Sequence, residues 1–87
     1  MSLIEDLRAT VTRAKGETEL LQIMLSEGVE KIDELMQLYA ADLLLTANED
    51  AIAFSGSINL ARQNLQATIA ALEVAETKID NYLGYIG

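Results

Sequence analysis

The sequence predicts an all-α fold, a long antiparallel helical hairpin that closes a four-helix bundle by dimerisation. Three observations carry this expectation. Apolar residues make up 51% of the chain, yet only one Phe and three Tyr are present. Leu, Ile, Val and Ala must therefore build the core, as they do in packed helices. Proline is absent, which removes the commonest interruption of a helix. Finally, two long stretches place apolar residues alternately three and four positions apart, the pattern of a helix buried along one seam.

At 87 residues the chain forms a single domain, residues 1–87, small enough that its core is marginal unless it is helically idealised or oligomeric. The first helix should start at about Leu3, because Ser2 followed by Glu5 is a capping box and Glu5 and Asp6 put negative charge where the helix dipole favours it. Its seam runs Ile4, Leu7, Val11, Ala14, Thr18, Leu21, Leu25, Gly28, Ile32, Leu35, Tyr39 and Asp42. Val29, Met36 and Leu43 widen that seam to the stripe of a bundle helix. Gly16 and Gly28 each cost about 1 kcal/mol in a helix interior. The seam keeps its phase through both, which favours one helix over residues 3–44.

A hinge is expected over residues 45–57. Leu43, Leu44 and Leu45 abandon the one-sided pattern, Thr46 with Glu49 could cap a short helix, and Ser55-Gly56-Ser57 carries the composition of a break. Ser57 would then cap a last helix over residues 58–84, with Ile58, Ala61, Leu65, Thr68, Leu72, Ala75, Ile79, Tyr82 and Ile86 in three-four alternation. These two arms are unequal, at about 63 Å for about 42 residues and about 40 Å for about 27. The second arm should run out near Gly16 and leave Leu3, Ile4, Leu7 and Val11 uncovered within the hairpin. Exposing such side chains forfeits roughly 1.5 to 3 kcal/mol each, so either the chain bends at Gly16 and folds back as three helices or, the favoured expectation, a second chain covers them. The expected packing and oligomer seam comprises Ile4, Leu7, Val11, Leu21, Leu25, Ile32, Leu35, Leu65, Leu72 and Ile79. Leu44, Leu45, Ile52 and Phe54 in the hinge are expected contacts for a partner, since a solvated loop has no need of them.

Composition excludes much chemistry. Without cysteine or histidine there is no thiolate, no imidazole base and no common zinc site, and no phosphate-cradling glycine loop is present. The expectation is a protein that is not an enzyme and has no cofactor, catalytic residue or metal site. Glu27, Glu30, Asp33 and Glu34 lie at one-turn spacings that could hold a hard cation, but helical metal sites pair inward carboxylates with His, and a solvated acidic face is expected instead. A formal charge of −8 argues against nucleic acid and anionic membranes as direct partners. The amino terminus has neither a basic nor a continuous apolar region, so the expected location is cytoplasmic, or exported without a cleaved signal.

Ser55-Gly56-Ser57-Ile58, with Leu65, Ile69, Leu72, Ala75, Ile79 and Tyr82-Leu83 beyond it, resembles the last helix of small actinobacterial helical-hairpin proteins related to the WXG100 (ESX-type) secretion substrates. The resemblance covers the C-terminal third. The chain lacks the Trp-x-Gly turn of that family, and neither Tyr82 nor Tyr85 is followed four residues later by an acid. The resemblance implies a paired hairpin serving as a secretion partner, adaptor or chaperone. Thus the expected function is a non-enzymatic helical interaction module whose partner is itself or another helical protein. Charge raises an alternative. Residues 17–50 hold nine acids against Lys31 alone, the kind of field with which small phage-type antagonists imitate nucleic acid to occupy a basic protein. A structural, self-assembling subunit is the third reading.

Overall fold

Ser2 in the computed structural model turns its hydroxyl oxygen to the Glu5 N–H at 3.1 Å, and this cap starts the chain as a helix. The structure describes Ser2 to Ile86, without the side chains of Ala40 and Leu44. Helix α1 (Leu3–Leu35), a π-helical turn (Met36–Ala40) and helix α2 (Ala41–Leu45) succeed one another without interruption, and helix α3 (Glu49–Ile86) returns after a turn at residues 46–48. The described residues contain no strand, and none of their helices is long and apolar enough to cross a membrane.

Helix α1 continues through Gly16 and Gly28 without a break. The hydroxyls of Thr10 and Thr18 donate to the carbonyls of Asp6 and Ala14, so these polar groups are satisfied inside the helix. The π turn inserts an extra residue into the ladder and rotates α2 relative to the seam. Beyond it, Leu43 is half-buried and Leu45 is exposed.

The turn is built by three residues. Thr46 closes α2 by donating its N–H and its hydroxyl to the Leu43 carbonyl, at 3.2 and 2.7 Å. Ala47 takes the left-handed conformation at φ 52° that reverses the chain. Asn48, rather than Thr46, caps α3, its Oδ1 accepting from the N–H groups of Asp50 and Ala51 at 2.8 and 3.3 Å. Glu49 and Asp50 then occupy the favourable first turn.

Two expectations are corrected by this architecture. The hinge is three residues long instead of spanning residues 45–57, and Ser55-Gly56-Ser57 lies inside a 38-residue helix that also passes Gly84. Ser55 explains why the break is absent. It is one of the few buried residues, 8% exposed, and its small side chain sits where α3 faces the opposite arm. Of the three small residues only Ser55 is buried, and none of the described glycines has positive φ.

The longer α3 also removes the length mismatch. Lys15 pairs with Asp80 at 2.6 Å, Gln22 donates to Glu76 at 2.8 Å, Gly28 lies against Leu65, and Asp33 pairs with Arg62. These partners descend along α3 as they ascend along α1. In that register Val11 falls near Leu83, and it is the best buried apolar residue, 6% exposed. Leu7 is half-buried, whereas Leu3 and Ile4 remain exposed, so the uncovered end shrinks to about one turn.

Candidate interaction surface

The residues of α1 that face α3 are Val11, Thr18, Gln22, Leu25, Val29, Ile32 and, in the π turn, Met36, each buried or half-buried. On α3 the matching set includes Ile58, Leu65, Ile69, Leu72, Ile79 and Leu83. Of the expected seam, Leu7, Val11, Leu25, Ile32, Leu35, Leu65, Leu72 and Ile79 are buried or half-buried. Ile4 and Leu21 are exposed. The inward line on α1 is thus rotated toward Val29 and Met36, which leaves Leu21 and Gly28 on its edge. Of the expected partner contacts, Leu45, Ile52 and Phe54 are exposed near the turn, and the Leu44 side chain lies outside the described residues.

The two long helices share one hand and run in opposite directions. A residue just before an inward position therefore points to one side of the pair on both helices, and a residue just after it points to the other. The side one step after the inward line is polar. It carries the Asp33–Arg62 pair, in which Arg62 donates through Nε to Oδ1 and through Nη2 to Oδ2, the latter at 3.3 Å. Here also lies the Lys15–Asp80 pair, while the Gln22–Glu76 hydrogen bond joins the two helices on the inward line. Asp80 raises the Lys15 pKa above its ordinary value through its hydrogen bond and its charge, and Asp33 does the same to Arg62.

Open depressions on this side are lined by Glu19, Ser26, Glu27, Glu30, Glu34 and Glu76 among others. The cluster Glu27, Glu30, Asp33 and Glu34 belongs to this acidic wall. Among the described residues no group of carboxylates converges as a set of metal ligands. Asp33 is engaged by Arg62, and Glu27, Glu30 and Glu34 are exposed.

The side one step before the inward line differs in kind. On α1 it presents Ala14, Glu17, Leu21, Met24, Gly28 and Lys31, and on α3 Leu60, Asn64, Thr68, Ala71, Ala75 and Lys78. Leu21 is 44% and Met24 58% exposed, with Leu60 similar, so this side displays apolar groups that none of the described residues covers. The sequence contains a signal for it. These positions repeat every three or four residues one step before the core seam, but acids scattered along the chain do not reveal that they gather on the opposite side.

The chain matches no known family model, no curated protein and no solved structure. The likeness to WXG100 substrates rests on residues 55–83 alone, and its Ser55-Gly56-Ser57 portion is helical here instead of forming a turn.

Proposed function

We propose that the chain is a non-enzymatic helical interaction module, a hairpin that completes a four-helix bundle with a second helical pair laid on its apolar side. One observation carries this reading. The molecular surface is 6415 Å² with a radius of gyration of 19.4 Å. A compact monomer of 9.5 kDa would expose roughly 5,000 Å² with a radius near 12 Å. Buried residues among those described are Val11 and Ser55 alone, so the chain by itself has almost no core. A second helical pair supplies what is missing, since two apolar sides brought together make the interior of a bundle. An adaptor or secretion-partner role is the form that the WXG100 likeness would give to this module.

Light scattering at micromolar concentration is the test. The expected mass is that of a dimer or a heterocomplex, and Leu25→Asp, which puts a charge on the inward line, should abolish folding or assembly. A stable, fully helical 9.5 kDa monomer would refute the reading.

Separation of charge favours a second reading. Because the acids gather on the side opposite the apolar one, the polar side could occupy a basic groove in the manner of a nucleic-acid mimic. Salt-sensitive capture of a basic, nucleic-acid-binding protein would support it, and capture that salt does not affect would oppose it.

A further inference from the structure

We infer that the outward face of α1, around Leu20, Ile23 and Met24, docks a basic amphipathic helix of another protein. The inference rests on the interaction-module reading and gives its partner a chemistry. At about 3.6 residues per turn these three positions share one face, opposite the inward line of Thr18, Gln22, Leu25 and Val29. Helix α3 packs on that inward line and does not cover them. Leu20 is 51%, Ile23 57% and Met24 58% exposed, and Leu21 extends the same turn toward the apolar side. Large apolar groups gathered within one turn form a patch, whereas a single one would be ordinary surface.

Charge identifies the occupant. On the same face Glu17 lies one turn before the patch, and Glu27, Glu30 and Glu34 follow it. Lys31 stands among these acids, four residues after Glu27, the spacing at which a Glu offsets a Lys within one helix. Ile23 itself stands in an open depression lined by Glu19, Glu27, Glu30 and Glu76. An apolar anchor rimmed by carboxylates fits a helix whose apolar residues recur at three-four spacing and whose flanks carry Lys or Arg. Such a helix is desolvated over the patch and paired at its rim.

A second copy of this chain lacks that chemistry. Lys15 and Arg62 are engaged by Asp80 and Asp33, and Arg8 and Arg13 lie on different faces of α1, so no arm presents a basic apolar face. Laid face to face here, each copy would bring the acids Glu17, Glu27, Glu30 and Glu34 against only Arg13 and Lys31, a net repulsion. A basic groove without apolar groups would satisfy the carboxylates and leave Leu20, Ile23 and Met24 in water. A basic helix with an apolar stripe answers both.

The probe is a fluorescein-labelled synthetic helix of Leu and Lys, with Leu at three-four spacing, titrated with the full chain and followed by anisotropy. Two companion peptides isolate its parts, one with Ser in place of Leu at unchanged charge and one with Glu in place of Lys. The Leu/Lys peptide should bind, and both companions should bind at least roughly tenfold more weakly. Ile23→Ser should weaken binding roughly tenfold, whereas Val74→Ser, equally exposed on the side of α3 away from α1, should leave it unchanged. Equal binding of the Leu-free peptide, which charge alone would explain, overturns the proposal, as does an equal loss with Val74→Ser. An Ile23→Ser change that dissolves a dimer of the chain but leaves the peptide bound assigns the face to a second copy and overturns it too. Light scattering on the wild type separates the two levels: a dimer that ignores the peptide overturns the docking face alone, and a stable monomer that ignores it overturns the module reading as well. Circular dichroism on each variant, both at exposed positions, identifies any that fails to fold.

Discussion

Gly56→Ala tests the most consequential feature of α3, its continuity through the serine and glycine stretch. In a helix interior, glycine costs about 1 kcal/mol relative to alanine through backbone entropy and lost propensity. That gain is realised only if the new methyl group meets no obstacle and the backbone is already right-handed. Both conditions hold. A Cβ at Gly56 would meet nothing within 4 Å, and no described glycine has positive φ. The substitution should therefore stabilise the chain by about 1 kcal/mol, which in a domain of this size raises Tm by about 4 to 8 °C. Thermal unfolding monitored by circular dichroism, at one fixed protein concentration so that association does not shift the midpoint, measures it. A loss of stability of similar size would refute the reasoning, because that is the response of a glycine in a left-handed turn.

Three further outcomes rest on local geometry. Ala47→Gly should raise stability by about 1 kcal/mol by relieving the left-handed alanine at φ 52°, and a lower urea midpoint would contradict it. Ser55→Ala should also be stabilising, by about 1 kcal/mol, because the buried Ser55 hydroxyl has no hydrogen-bond partner; destabilisation would show that the hydroxyl is satisfied. For Lys15 the sign comes from its raised pKa: its contribution is fully present below the ordinary value of 10.5 and is lost as pH rises through the higher folded value. Lys15→Met should thus lower the urea midpoint slightly at neutral pH, and the two midpoints should converge as pH rises through the raised folded value; a difference that persists in alkali would remove Asp80 as the cause.

Much of the fold is legible in the sequence, and the exceptions have a physical cause. Ser2 with Glu5 announces the first helix, and the steady phase of the seam carries α1 through Gly16, as observed. The same phase argument extends α3 back through Gly56, because Ala51, Ser55, Ile58, Leu65 and Ile69 step by three, four and seven. Turn-like composition points the other way there, and the structure sides with periodicity. Asn48 is likewise hard to single out, since Thr46 offers a capping oxygen two residues earlier. Helix propensity and turn composition are local, whereas the burial of Ser55 depends on the opposite arm, which a linear reading does not supply. The interaction surface is hidden for a related reason. Leu21 continues a three-four run and so reads as core, yet Gln22 takes the inward position through its bond to Glu76.

The position of the turn has a consequence for how the molecule opens and closes. Asp33 and Arg62 are 29 residues apart in sequence and Gln22 and Glu76 are 54 apart, so each contact farther from Thr46 closes a longer loop. Once the contacts beside the turn exist, however, every subsequent pair orders only a few more residues. The chain is a zipper whose slider starts at Asn48, and amide exchange should record protection that falls toward the termini. Val11, the most deeply covered apolar side chain, stands almost at the far end of that track. It acts as the clasp, setting its tightest burial where parting of the two arms would begin.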